Sequence, residues 1–296
     1  MVIATGFFDG VHLGHRFILR QLVEEARRRN DESMVVTFWP HPRNVLQDDA
    51  RNLRLLTSME EKKALIRSIG VDHIEVIPFT KEFCRLSAEE YLRDYIIGKF
   101  GGKAILVGYD NRIGSDQCTP GQTAEIARRL GLDVIRPERF VSDNGIVISS
   151  TKIRNSLQAG EIEEADSMLG YQYQLYGVVV SGNRLGHTIG FPTANMQLYE
   201  PLKLIPGNGV YLVKVETLGR VYDGMCNIGV RPTLGSGNAL TVETNIFDFN
   251  EDIYGLDIRI SFVSKIRNEV KFNDFTVLAS QLEKDRAHCR ILLQEK

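Results

Sequence analysis

Gly6-Phe7-Phe8-Asp9-Gly10-Val11-His12-Leu13-Gly14-His15 is the stretch whose reading decides the fold. It follows a short apolar run, Val2-Ile3-Ala4, and leads into Phe17-Ile18-Leu19-Arg20-Gln21-Leu22-Val23-Glu24-Glu25-Ala26. The first run reads as a buried strand. The second carries apolar residues at 18, 19, 22, 23 and 26, the spacing of one helical face. Asp9-Gly10 is turn chemistry between them. Two histidines, three residues apart, therefore stand where a strand hands over to a helix, and residues three apart in a helical turn share a face. The helix start favours an anion through its N–H groups and dipole. Gly14, with no side chain, lets phosphate approach the backbone. By itself the histidine pair also fits a structural pair or a fragment of a metal site; a metal would want a further ligand, and this segment offers neither Cys nor a third His. Two imidazoles, small residues and a helix start together describe a site for a triphosphate.

Composition sets the outer bounds. At 296 residues the chain predicts two domains, either of which is long enough to bury a core. The net charge of -2 argues against electrostatic, nonspecific binding of nucleic acid. Cys84, Cys118, Cys226 and Cys289 are scattered and form no C-x-x-C, so neither a zinc knuckle nor a redox pair is indicated. Reduced thiols in a cytoplasmic protein are the simplest account. Asp9, His12 and Arg16 stand where a signal peptide would be apolar, and no apolar run is long enough to span a bilayer, so no membrane partner is expected.

The first half alternates strands and helices. Strands are predicted at 34–38, 73–77, 103–107 and near 133–135, with Trp39-Pro40-His41-Pro42 stopping the first of these at its C-terminal end. Thr57-Ser58-Met59-Glu60 reads as a capping box opening a helix to about Ile69, ended by Gly70. Ser87-Ala88-Glu89-Glu90 caps another, to about Phe100, and a further helix runs to about Leu130. This alternation means a parallel α/β sheet, and ligands of such sheets bind beyond the carboxyl ends of the strands. Ile148-Ser149-Ser150-Thr151-Lys152-Ile153-Arg154 closes the half; its hydroxyls stand at a helix start and also fit simple N-caps. A Walker A loop is absent: Gly101-Gly102-Lys103 is followed by Ala104 and precedes a strand. There is no G-x-G-x-x-G after the first strand either, so a dinucleotide fold is not expected.

The second half changes character. A short helix over 161–169 ends at Gly170, and the domains are predicted as 1–160 and 161–296. Short strands at 175–180, 209–215, 222–228, 241–247 and 257–262 predict a closed antiparallel barrel, followed by an amphipathic helix from about Phe275 to Leu293. Within it lies Gly182-Asn183-Arg184-Leu185-Gly186-His187-Thr188-Ile189-Gly190-Phe191-Pro192-Thr193-Ala194-Asn195. Glycines at four-residue spacing, Gly182, Gly186 and Gly190, suit a loop that covers phosphates with backbone N–H groups, or a plain barrel turn. Thr193 and Asn195 offer the neutral oxygens that suit Mg²⁺ shared with phosphates.

These strings resemble known families. The first, through Gly6, Phe8, Asp9, His12, Gly14 and His15, resembles the G-x-F-D-G-x-H-x-G-H signature of the nucleotidyltransferase superfamily, in which the histidines hold ATP phosphates. The string from Ile148 matches that family's I-S-S-T-x-I-R at every fixed position, which implies phosphate contacts for Ser150, Thr151 and Arg154. The glycine string resembles the riboflavin kinase signature, implying ATP contacts for Gly182, Gly186, Thr188, Gly190, Thr193 and Asn195. Asn227-Ile228-Gly229-Val230-Arg231-Pro232-Thr233 resembles its N-I-G-x-R-P-T, and Val242-Glu243 through Asp248-Phe249 to Asp252-Ile253-Tyr254-Gly255 resembles its V-E…D-F…D-L-Y-G run. Arg267-Asn268-Glu269-Val270-Lys271-Phe272 resembles R-x-E-x-K-F, whose Glu is the catalytic base; on sequence alone a Glu beside Lys is a solvated surface residue.

Together the halves resemble the bifunctional prokaryotic riboflavin kinase/FMN adenylyltransferases, the FAD synthetases. The resemblance implies an α/β nucleotidyltransferase domain and a β-barrel kinase domain with a terminal helix. It implies ATP and Mg²⁺ as co-substrate and cofactor, riboflavin and FMN as substrates, and FMN and FAD as products. A kinase with a degenerate first domain, and a flavin-sensing regulator on the same folds, are the alternatives; intact Glu269, Thr193 and Asn195 argue against the regulator. The chain departs from the family at Phe7, where Asn or Thr is usual, and at Asn245, where His is common. It also departs in the loop Asp110-Asn111-Arg112-Ile113, where Asn111 and Ile113 replace two aromatics and which is expected to face the flavin or the adenine.

Overall fold

The computed structural model describes every residue except 42–52, 110, 139, 142–144, 146, 183–184, 234–236, 273 and 295–296, so Asp110, Asn183 and Arg184 lie outside the described residues. The chain packs as two units, Met1–Ser150 and Thr151–Lys296.

The first unit is organised around β1 (Val2–Thr5), whose four residues are all buried. It lies between two parallel neighbours, β2 (Ser33–Trp39) and β4 (Ala104–Leu106), with β3 (His73–Pro78) and β5 (Asp133–Ile135) at the edges. The order β3-β2-β1-β4-β5 reverses at β1. Side chains alternate across the strand. Val2 and Ala4 pack with Leu19, Leu22 and Val23 of α1 (Leu13–Arg28), while Ile3 packs with Leu92 and Ile96 on the opposite face. A strand covered on both faces has no polar positions to spare, which is why it reads as an unbroken apolar run.

Two helices differ from their sequence reading. The capping box of α2 (Met59–Ser68) is Ser58 with Glu61, one residue later than expected. Thr57 is unavailable as a cap because its hydroxyl accepts from the Gly10 amide at 3.2 Å and donates to Asp9 Oδ1 at 3.3 Å. α3, the helix capped by Ser87 and Glu90, begins as an α-turn at Ala88–Glu90 and continues over Tyr91–Lys99 with wider, i→i+5 hydrogen bonds, such as Phe100 N to Tyr95 O at 3.0 Å. Wide turns are rare in helices and often lie near functional sites. Here the segment delivers the buried Tyr91 hydroxyl to Thr5 Oγ1 at 2.8 Å, at the carboxyl end of β1. α4 (Pro120–Arg129) completes this unit's alternation.

The second unit opens with α5, which runs Ser150–Ala159 across the boundary, and α6 (Ile162–Leu169), closed by Gly170 in the left-handed region at φ 75. The barrel closes in the order β10-β7-β6-β11-β8-β9. Its strands are β6 (Gln174–Val180), β7 (Ala194–Leu198), β8 (Gly209–Thr217), β9 (Arg220–Thr233), β10 (Gly237–Ile246) and β11 (Asp257–Arg267). The sequence predicts five of them. The sixth, β7, follows directly on the glycine string and owes its existence to pairing: Asn195 stands opposite Val180 on one side and Glu243 on the other. The final helix, α8 (Phe275–Gln294), seats Cys289 in the core cluster with Phe191, Leu212 and Phe247. It is tied to β11 by Arg267, whose guanidinium donates to both oxygens of the buried Asp285 at 2.7–3.0 Å.

Candidate active sites

In the first unit, the site begins where β1 ends. His12 is the N-cap of α1, and its Nδ1 accepts the His15 amide at 3.3 Å. That bond commits the Nδ1 lone pair and leaves the His12 proton on Nε2, as a donor. The two rings stack, 3.6 Å apart and 15° from parallel. His15 is pushed well below the usual histidine pKa by burial first, then by His12 and Lys62. Its Nδ1 is sealed with no hydrogen-bond partner. The site therefore holds an imidazole kept neutral, presented as a hydrogen-bonding group and not as a charge.

The other residues of this motif serve its shape. Asp9 turns inward: its carboxylate accepts from the amides of Leu56 and Thr57 at 3.1 and 3.2 Å, clamping the segment before α2. Phe8 holds a left-handed backbone at φ 49, and a Cβ on Gly6 would sit 3.0 Å from its ring. Gly14 leaves room for His12, whose ring lies 3.3 Å from where a Cβ would be. Ser150 Oγ donates to the Asp9 carbonyl at 3.0 Å. Thr151 and Arg154 stand further along α5, in the second unit.

Beside this motif a cleft of about 400 Å³ opens at the carboxyl ends of β1, β2 and β3. Phe38, Phe79, Phe83 and Tyr91 line it, with ring centroids 5.5–6.3 Å apart. Sequence reasoning missed these rings; the available signal was an aromatic at the end of β2 and another just past β3. Asn111 and Arg112 line the same cleft. Asn111 is also a clip, its Nδ2 donating to the Thr5 carbonyl at 3.0 Å. Ile113 is 8% exposed and packs in the core.

In the barrel, Glu269 stands just beyond β11 and is exposed. Its Oε2 accepts from Asn208 Nδ2 at 3.1 Å, and Gly229 of β9 lies directly beside its carboxylate. The glycine string folds tightly onto itself. A Cβ on Gly182 would meet Asn195 Nδ2 at 2.4 Å, and one on Gly186 would meet the Phe191 carbonyl at 2.2 Å. Gly190 has φ +80, a conformation that favours glycine. Phe191, 3% exposed, anchors the loop in the barrel core. Asn245 donates to the Pro192 carbonyl at 2.7 Å, fixing the residue before Thr193. Thr193 lines a cleft of about 400 Å³ with Val179, Thr244, Phe249 and Tyr254. Thr188 is exposed, on a short helix, α7 (Leu185–Thr188).

A neutral donor set at the head of a helix, past the central strand of a parallel sheet, is what a nucleotidyltransferase offers a polyphosphate. The barrel repeats none of this; it offers an exposed carboxylate at one place and a folded glycine loop against Asn195 at another. Two such different sites in one chain define a bifunctional nucleotide-dependent transferase. A family model described as FAD synthetase matches residues 1–152, and one described as riboflavin kinase matches 169–293. The bifunctional riboflavin kinase/FMN adenylyltransferase of Listeria monocytogenes serovar 1/2a is 37% identical over 98% of this chain and 91% of its own length; that of Escherichia coli strain K12 is 36% identical over the same shares. A crystal structure described as that of a macrolide-efflux protein from Streptococcus pneumoniae is 33% identical, with a TM-score of 0.88 over 98% of this chain and 93% of that one. Among the described residues no helix is long and apolar enough to cross a membrane. The chain belongs to the bifunctional riboflavin kinase/FMN adenylyltransferase family.

Proposed function

We propose that this chain makes FMN from riboflavin and ATP in its barrel, and FAD and pyrophosphate from FMN and ATP in its α/β unit. The observation that carries this reading is that relatives with both activities in their name align from end to end, across both units. We put the division of labour near residue 160; neither family model covers that stretch.

In the kinase step, the riboflavin 5′-hydroxyl oxygen bonds to the γ-phosphorus of ATP as the bond to ADP breaks. Glu269 takes the hydroxyl proton, oriented by the Asn208 amide. Gly182, Gly186, Thr188 and Gly190 cover the phosphates. Thr193 and Asn195 carry the neutral hard oxygens that fit Mg²⁺, which would supply charge neutralisation to the phosphates. In the adenylyl step, an FMN phosphate oxygen bonds to the α-phosphorus of ATP as pyrophosphate leaves with the electron pair. No side-chain nucleophile is required, so catalysis is positioning and electrostatics. His12, His15 and Ser150 serve the triphosphate, and the family resemblance implies phosphate contacts for Thr151 and Arg154 as well. The aromatic cleft is assigned to the flavin, whose flat ring system suits Phe38, Phe79 and Phe83. Four unpaired thiols fit a reducing compartment, and the cytoplasm is the proposed location.

One assay tests the reading. The chain is given riboflavin, ATP and Mg²⁺, and in parallel FMN, ATP and Mg²⁺, and the flavins are resolved by chromatography. FMN and then FAD are expected in the first, FAD in the second. FMN alone would leave a monofunctional kinase, and neither product a non-enzymatic protein.

A further inference from the structure

Lys62 is 1% exposed and among the largest side chains sealed inside the protein. It sits in α2, and its Nζ lies 3.7 Å from the centroid of the Phe7 ring. Among the described residues it has no hydrogen-bond or ion-pair partner. A buried ammonium without an acceptor is costly, and an apolar side chain of the same length would serve the fold better. Burial lowers its pKa to about 8, against a pull in the other direction from Asp9. Lys62 in turn is one of the charges that hold His15 neutral. His15 Nδ1, for its part, is sealed without a hydrogen-bond partner. Two unsatisfied polar groups, electrostatically coupled and next to a helix start, are arranged for an anion that enters from outside.

We propose that Lys62 is a further phosphate-binding residue of the adenylyl-transfer site, its ammonium neutralising the pyrophosphate end of the ATP triphosphate. The proposal rests on the adenylyl-transfer reading above. As the FMN oxygen bonds to the α-phosphorus, the bond to the bridging oxygen breaks and negative charge gathers on pyrophosphate. A neutral imidazole gives that charge a hydrogen bond; Lys62 gives it an opposite charge. Phe7 explains how the ammonium waits: the ring face holds a cation without competing as a hydrogen-bond acceptor. The departure of Phe7 from the family pattern thereby acquires a role, as the seat of a buried lysine.

The test uses the full chain with Lys62→Met and Lys62→Arg. The forward reaction (FMN and ATP) and the reverse (FAD and pyrophosphate) are both followed. Loss of a preorganised electrostatic group predicts that Lys62→Met lowers kcat/KM for ATP by about a hundredfold. KM for pyrophosphate should rise, KM for FMN should hardly move, and Lys62→Arg should recover part of the loss. The groups acting on Lys62 and its neighbour are Asp9, His12 and His15. With Lys62 titrating near 8, the wild-type kcat/KM for ATP should fall as pH rises through about 8, and Lys62→Met should lack that limb. A folded Lys62→Met variant with wild-type constants in both directions overturns the proposal, as does a loss confined to FMN. Should that variant not fold, the pH profiles of wild type and Lys62→Arg decide: a limb near 8 present only in the wild type supports the role, and the same limb in both refutes it. If the wild-type chain forms no FAD at all, the adenylyl-transfer reading has failed, and Lys62 is not the cause.

Discussion

Gly229 and the carboxylate of Glu269 occupy adjoining space: a Cβ on Gly229 would lie 2.2 Å from Oε1 and 3.0 Å from Cδ. The absence of a side chain on β9 is thus what lets the carboxylate rest where it does. Glu269 is exposed, so it has room to swing away from a methyl group at little cost in stability. Gly229→Ala should therefore leave the thermal midpoint nearly unchanged and slow FMN formation by about tenfold or more, as misplacement of a reacting group does. FAD formation from supplied FMN should be untouched. Wild-type kinase turnover in this variant would show that the carboxylate position is immaterial.

Glu269→Gln keeps the size of the side chain and the hydrogen bond from Asn208 but cannot accept a proton. General-base catalysis contributes roughly 10²–10⁴-fold. FMN formation from riboflavin should fall by that order while FAD formation from FMN continues, since the FMN phosphate is already an anion. Chromatography of both reactions on one preparation checks this. Near-normal kinase turnover would remove Glu269 as the base.

His15 links the site to acid stability. Burial holds its folded pKa well below the ordinary histidine value of 6.5, so between the two values the unfolded chain binds more protons than the folded one. Stability from this group is present above about 6.5 and is lost as pH falls below it. Calorimetry of wild type and His15→Gln from pH 7 to 5 should show the wild type losing ground to the variant as pH drops. A constant gap would mean that the imidazole takes up a proton in the folded state as easily as in the unfolded. His15→Ala should also slow FAD formation by about a hundredfold with the kinase intact.

Asp285 is 3% exposed beneath an Arg267 that is 20% exposed. Asp285→Ala strands a largely buried guanidinium, which typically costs about 3 kcal/mol or more. The double variant Arg267→Met with Asp285→Leu should recover much of that stability. Because Arg267 lies two residues before Glu269, both variants should still lose kinase rate. Full activity in the double variant would mean that the Glu269 segment is held by other contacts.

Much of this protein is legible in local sequence. The unbroken apolar β1, the histidines at the helix start, the Ser87 cap and the glycine string all depend on neighbours within a few residues. The Asn111 and Ile113 departures were visible too, but their meaning was not. Asn111 is a clip onto Thr5 across more than a hundred residues of chain, and Ile113 belongs to the core.

The sequence by itself determined the order of elements, the two-part organisation and the groups available for phosphate chemistry, because periodicity and turn chemistry act between near neighbours. Only the tertiary structure decided that Thr57 is spent on Asp9, that β7 becomes a strand by pairing with β6 and β10, and that Gly229 stands beside Glu269. It alone sealed Lys62 against Phe7, at a position where a helix pattern allows any solvated lysine. Burial and partner choice are set by chain segments far apart in sequence, and the desolvation that turns a lysine or a histidine into a reactive group exists only once those segments have closed around it.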